Sequence, residues 1–222
     1  MAVSRKNTLR DKILNAVAVI VLVAFGFFVW RDVTKEEVVA VPADAVDLEF
    51  PLSGGQFYVM YSGPDDSLYG YVHTSLAEKY ALDIVKDNGA PQFFGSTLEN
   101  DPSFGTSVTS PCTGQVVWAQ NNKPDLPIGQ KDPGAVANSV TIKCDAGFEV
   151  VMAHFKQGSV VVNVDQRIVA GDPVAVIGNT GNTAGPHLHI AAFLKDGANS
   201  GTVPLPIKFG GRYLQKGDRV PE

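Results

Sequence analysis

Five side chains in this 222-residue sequence have types and positions that could do chemistry: Asp83 and the four histidines, His73, His154, His187 and His189. His187 and His189 flank Leu188 in the strand-like run HLHIAAFL (187–194). On a strand, residues i and i+2 point to the same face, so the two imidazoles stand together and Leu188 points the other way, into a core. Neutral imidazole is a good Zn²⁺ ligand. Taken alone, though, a His-x-His pair is also what two incidental histidines look like. Asp83 lies in the apolar run YALDIV (80–85). A buried, unpaired carboxylate is costly, so it calls for a cation, a metal or a strong set of hydrogen bonds. A turn-proximal aspartate bonded to backbone amides is the plainer alternative. His154 closes VVMAHF, where alternation puts Val150, Met152 and His154 on one face. A lone histidine there also reads as a satisfied core or rim residue.

The elements that must position these groups are short. The runs at 55–62, 80–85, 114–120, 138–144, 147–155, 173–179 and 187–194 are apolar or alternating and are separated by Gly, Pro, Asn and Asp. They predict an all-β domain, an antiparallel β-sandwich or half-barrel. No 12-residue amphipathic pattern competes, and 75–79 (SLAEK) makes at most one helical turn. A Gly/Asn/Pro turn, 178–186, delivers the histidine pair at a strand start. Two long connections, 86–110 and 121–137, have the length of functional walls or lids. Cys112 begins one strand and Cys144 ends another. If those strands pair antiparallel, both cysteines fall at one end of the ladder and form a disulfide in an oxidising compartment. Two buried free thiols are the alternative.

Composition narrows the class. Hydrophobic residues make up 45% and aromatics 9%, enough for a core. A net charge of −5 argues against a nucleic-acid partner, which would call for a basic patch or stripe. Residues 13–30 (ILNAVAVIVLVAFGFFVW) carry no charge. As a helix they span roughly 27 Å at about 1.5 Å per residue, close to a bilayer's hydrocarbon thickness. Arg5, Lys6, Arg10 and Lys12 precede them. The positive-inside rule then puts residues 1–12 in the cytoplasm, a transmembrane anchor at 13–30, a linker at 31–49 and the domain, 50–222, outside the cytoplasmic membrane. A cleavable signal peptide is the rival reading, but the first small-x-small triplet, Ala43-Asp44-Ala45, lies well past the apolar run.

In order, several segments resemble the lysostaphin/LytM-like zinc metallopeptidases, which cut peptide bonds in peptidoglycan. The run 178–189 (GNTGNTAGPHLH) looks like the family's G-N-[ST]-G…P-H-L-H signature. Val151-Met152-Ala153-His154-Phe155 followed by Gly158-Ser159 is similar to its A-H-L…G-S segment. The run 170–178 (AGDPVAVIG) resembles its G-x-x-[IVL]-G hairpin, and 110–117 (SPCTGQVV) its A-P-x-x-G-x-V strand. Ala81-Leu82-Asp83-Ile84 resembles its metal-binding Asp position. The likeness spans about 56–195.

The resemblance implies one Zn²⁺ held by His73, Asp83 and His189, with the fourth position left for water. It implies that His154 and His187 face the water and the substrate, as proton acceptor and oxyanion stabiliser. The family places its first ligand histidine four residues before the Asp. Lys79 stands there in this sequence, and His73, ten residues before Asp83, is the candidate that completes the set. The expected activity is hydrolysis of peptidoglycan stems or cross-links by a membrane-anchored member. Two alternatives stand beside it: a non-catalytic domain of the same fold that binds and activates a cell-wall amidase, and a zinc peptidase acting on a non-wall peptide. The partners this implies are a peptidoglycan peptide, the membrane through one helix, and an amidase or division-machinery protein.

Overall fold

The computed structural model describes residues 41–63, 78–89, 94–130, 132, 134–196 and 201–220. These belong to a folded unit running from Val41 to Glu222. The expected anchor at 13–30 lies outside the described residues, among which no helix is long and apolar enough to cross a membrane. The turn expected at 75–79 also falls mostly outside them.

The described residues form β1 (Val46–Leu48), β2 (Phe57–Ser62), β3 (Leu82–Lys86), β4 (Ser107–Thr109), β5 (Gly114–Gln120), β6 (Ser139–Cys144) and β7 (Glu149–Ala153). Then come β8 (Arg167–Ile168), β9 (Pro173–Val176), β10 (Leu188–Asp196), β11 (Gly201–Leu205), β12 (Ile207–Phe209), β13 (Arg212–Tyr213) and β14 (Arg219–Val220). A single 3₁₀ turn, Leu98–Asn100, interrupts the first long connection. The main sheet runs β14-β2-β3-β10-β7-β6-β5-β8 and is antiparallel throughout. β11 pairs with the far half of β10, beyond the part that pairs with β3.

Period-2 patterning makes this sheet two-faced. Val140 and Ile142 of β6, Val150 and Met152 of β7, Leu188 and Ile190 of β10, and Leu82 and Ile84 of β3 are all buried. Each such side chain contributes about 1.5–3 kcal/mol when fully withdrawn from water, so this face fixes the register. The other face carries the chemistry. His189 lies opposite Asp83 of β3 on one side and Ala153 of β7 on the other. Ala153 in turn lies opposite Ser139, and Ser139 opposite Gln120. Two residues along, a second row runs Ala191, Val151, Thr141, Trp118.

The expected cystine is present. Cys144 pairs with Gly114, two residues after Cys112, and the two Cα atoms are 5.8 Å apart. Other elements depart from the sequence reading. Residues 46–48, placed there in the linker, form β1, which pairs in parallel with β12. The strands after residue 200 were not foreseen. They are two to five residues long and interrupted by Pro204 and Pro206, too short to show a period.

Candidate active site

Asp83 and His189 face each other across the β3–β10 ladder, and His189 Nδ1 lies 2.9 Å from Asp83 Oδ1. His187 brings Nε2 to 3.5 Å from the same oxygen. All three side chains are buried, Asp83 at 3% exposure. The expectation that His187 and His189 share a face, with Leu188 in the core, holds: Leu188 is fully buried.

The turn before β10 orients His187. Its Nδ1 is 2.8 Å from the Gly185 carbonyl, and Thr183 Oγ1 donates to that same carbonyl at 2.7 Å. A carbonyl only accepts, so Nδ1 carries the hydrogen and Nε2 is the nitrogen turned to Asp83. Burial pushes the His187 pKa down, but Asp83 first, then the Gly185 carbonyl and Asp101, leave it above the ordinary histidine value. Gly185 has no room for a side chain. A Cβ there would sit 2.4 Å from the Phe94 ring, so Phe94 from the first long connection packs directly on the turn. Asp101 folds that connection, accepting from the amides of Gly95 (2.8 Å), Ser103 (2.8 Å) and Phe104 (3.3 Å).

His154 arrives differently from the sequence expectation. Strict alternation would put it beside Val150 and Met152, on the core face. β7 instead ends at Ala153, and His154 has φ 67°, the left-handed region that a residue with a Cβ rarely enters. That rotation carries the imidazole to the opposite face, with ring centres 4.6 Å from His187 and 5.9 Å from His189. The strained residue is held from both sides. Gly178 donates to the His154 carbonyl at 2.9 Å, and Phe155 donates to the Asn138 carbonyl at 3.1 Å. Thr180 Oγ1 accepts from the Asn138 amide and donates to the Phe155 carbonyl, each at 2.9 Å. The Thr180 carbonyl accepts from His154 Nδ1 at 2.7 Å, which leaves Nε2 as the acceptor nitrogen. Burial, and then the neighbouring His187 and His189, push the His154 pKa down to about 3, so its ring is neutral.

Thr180, Asn138 and Phe94 were not singled out from sequence. Thr180 sits inside the Gly/Asn/Pro turn, but nothing in a Thr in a polar turn signals that its carbonyl orients a distant histidine. The second long connection is anchored here as well: Leu126 donates to the Asn179 carbonyl at 3.0 Å and Gly129 to that of Ala184 at 2.8 Å.

His73 lies outside the described residues. Lys79, at the position four before Asp83, places its amine 5.0 Å from the centre of the Tyr80 ring. A buried carboxylate oxygen and an imidazole nitrogen that converge make a donor pair suited to Zn²⁺. Among the described residues no group of three His, Cys, Asp or Glu closes into a full ligand set, so a third ligand would have to come from outside them.

Residues 95–200 match the model of peptidase family M23. The chain also shows likeness to the catalytic domain of the prophage-encoded M23 protein EnpA from Enterococcus faecalis, at 22% identity over 72% of this chain and 94% of that one, with a TM-score of 0.44. A zinc-containing peptidase from Vibrio cholerae is 21% identical over 72% of this chain and 38% of that one, with a TM-score of 0.37. The antimicrobial peptidase lysostaphin from Staphylococcus simulans is 18% identical over 66% of this chain and 46% of that one, with a TM-score of 0.42. The chain thus spans less than half the length of the last two. The stretch that matches peptidase family M23, just under half of the chain, holds His154, His187 and His189 on the strands and turn described above.

Proposed function

We propose that this protein is a zinc-dependent endopeptidase that hydrolyses peptide bonds in peptidoglycan stems or cross-links. The observation that carries the reading is the convergence of Asp83, His187, His189 and His154 on one face of the central sheet, next to a core face that fixes their register. The family match over 95–200 supports it. Asp83 and His189 would hold the metal, with His73 as third ligand. When bound, Zn²⁺ supplies a polarised carbonyl and a water whose pKa falls toward about 7. His154, with Nδ1–H committed to Thr180, keeps Nε2 free to take a proton from a water. His187, with Nδ1–H on Gly185, turns Nε2 inward, where it can stabilise an oxyanion or return a proton to the leaving amine. Phe94, packed on Gly185, walls this end of the site.

The same reading places the domain outside the cytoplasm, anchored through 13–30 at the cytoplasmic membrane. Its supports are the basic flank before that run and the Cys112–Cys144 bond, a bond type that persists in oxidising compartments. One observation favours a second reading. Lys79 at the usual ligand position would suit a non-catalytic domain that activates a cell-wall amidase. Zinc content of the purified full-length chain, measured with digestion of isolated muropeptides, separates the two. Stoichiometric zinc with new amino termini supports the peptidase. No zinc, no cleavage and stimulation of an amidase overturn it.

A further inference from the structure

The face of the sheet that carries Asp83 and His189 continues past them, across β7 and β6 to β5. Trp118 stands at its far end. The residue is 48% exposed, although the one after it, Ala119, packs on the core. The ring is not loose: Trp118 Nε1 donates to Ser139 Oγ at 3.1 Å, and Ser139 lies in register with Ala153 and, through it, with His189. A register shift between Val116 and Trp118 in β5 sets the alternation. With Val116 in the core, regular alternation would put Trp118 on the core face too. The irregular residue turns it to the face of His189, as bulges near active sites do. Between the tryptophan and the histidine the surface is made by Thr141, Val151 and Ala153, all half-buried and all uncharged.

We infer that Trp118 is a substrate-specificity residue of the site: a platform on which an extended, uncharged stretch of the peptide substrate rests, away from the bond that is cut. The inference builds on the proposed peptidase function and names where that substrate lies. Three facts lead to it. The surface from His189 to Trp118 is continuous on one face and its residues carry no charge, the nearest charges on that face being Lys143 and Glu149 one row further along β6 and β7, so it matches a neutral peptide backbone with small side chains. The aromatic is fixed in place by its own hydrogen bond, so little entropy is lost when a ligand covers it. The span also has a length that a peptide can be matched to. Three strand spacings of about 4.8 Å separate β10 from β5, roughly 14 Å, which an extended chain at about 3.3 Å per residue covers in about four residues. The platform is therefore out of reach of a substrate with only one or two residues on each side of the scissile bond.

The test uses the zinc-loaded full-length chain, a short synthetic stem peptide with two residues on each side of the cleaved bond, and a long one extended by four neutral residues on both sides. Trp118→Ala should raise KM for the long peptide about tenfold, the scale of one aromatic contact, with kcat unchanged. It should leave the short peptide unaffected. Trp118→Phe should restore most of the loss. Calorimetric binding of both peptides is read alongside cleavage, so that the two claims fail separately. If neither peptide is cleaved but the long one binds in a Trp118-dependent way, the platform stands and the peptidase reading falls. If both are cleaved and Trp118→Ala affects them equally, or affects neither, the platform is overturned and the peptidase stands. Absence of binding by both peptides also overturns it.

Discussion

Asp83 and His189 are direct cross-strand partners, and their side chains meet at 2.9 Å on the face of the sheet opposite its core. The pairing is a consequence of register. Leu82 and Ile84 flank Asp83, Leu188 and Ile190 flank His189, and all four are buried on the other face, so neither strand can slip by one residue without exposing its own pair. The same hydrophobic pattern that stabilises the sheet thus sets the donor pair.

That arrangement separates metal ligands from the other histidines. His189→Ala should abolish both zinc binding and turnover, and Asp83→Asn should do the same while preserving shape. His187→Ala, two residues away, should keep zinc and lose about 10²-fold or more in kcat, the usual scale for a positioned acid, base or oxyanion group. His73→Ala is expected to behave like His189→Ala. Metal analysis of each purified variant beside its cleavage rate checks this; stoichiometric zinc in His73→Ala with full activity would show that another residue completes the site.

The left-handed His154 gives a second prediction. Thr180→Val keeps the shape of the side chain but leaves the Asn138 amide without its acceptor, and the Phe155 carbonyl with only the Asn138 side-chain amide at 3.2 Å. The cost to folding should be about 1–3 kcal/mol, the penalty for an unmade buried hydrogen bond. Turnover per folded molecule should also fall, about tenfold, with zinc unchanged, because the imidazole loses its fixed orientation. Thr180→Ser should recover both. If stability drops but kcat of the folded fraction does not, Thr180 supports the fold alone.

How much of this was legible in the sequence depends on periodicity. The strands around Asp83, His187 and His189 are readable because each is a short apolar run bounded by turn residues, and the i, i+2 rule alone puts the histidine pair on one face. The cysteine pairing was readable from strand ends. His154 was legible as a candidate but not in its position, since alternation puts it in the core and one residue with φ 67° reverses that. Phe94, Asn138 and Thr180 were invisible for a related reason: their roles lie in backbone hydrogen bonds and ring contacts between loops far apart in the chain, which no local pattern encodes. β1 was hidden because a three-residue strand in a Val/Ala/Asp stretch looks like linker, and its parallel partner is 161 residues away at Ile207.

The cystine should matter for stability and not for chemistry. Cys112 and Cys144 are separated by 32 residues in sequence, for which chain-entropy arithmetic gives roughly 3–4 kcal/mol. The double variant Cys112→Ala/Cys144→Ala should lower the denaturation midpoint accordingly and keep zinc and turnover at temperatures where it is folded. Loss of activity in the folded variant would tie the bond to the site.

The close approach of Phe94 to the turn that holds His187 gives the last prediction. A Cβ on Gly185 would lie 2.4 Å from Cγ of Phe94 and 2.5 Å from Cδ1, well inside van der Waals contact, so Gly185→Ala must displace the ring. The φ of Gly185 is not in the left-handed region, so the backbone itself tolerates alanine and the cost falls on the wall of the site. The expected result is retained folding and retained zinc, with kcat/KM lower by about tenfold, because the His187 anchor at the Gly185 carbonyl and the Phe94 wall are disturbed together. Phe94→Ala made alone should be milder, and in that background Gly185→Ala should cost little more, since the clashing ring is gone. A double-mutant cycle with cleavage as readout measures the coupling. If Gly185→Ala is as damaging without the Phe94 ring as with it, the effect runs through the His187 anchor alone and Phe94 is not a wall of this site.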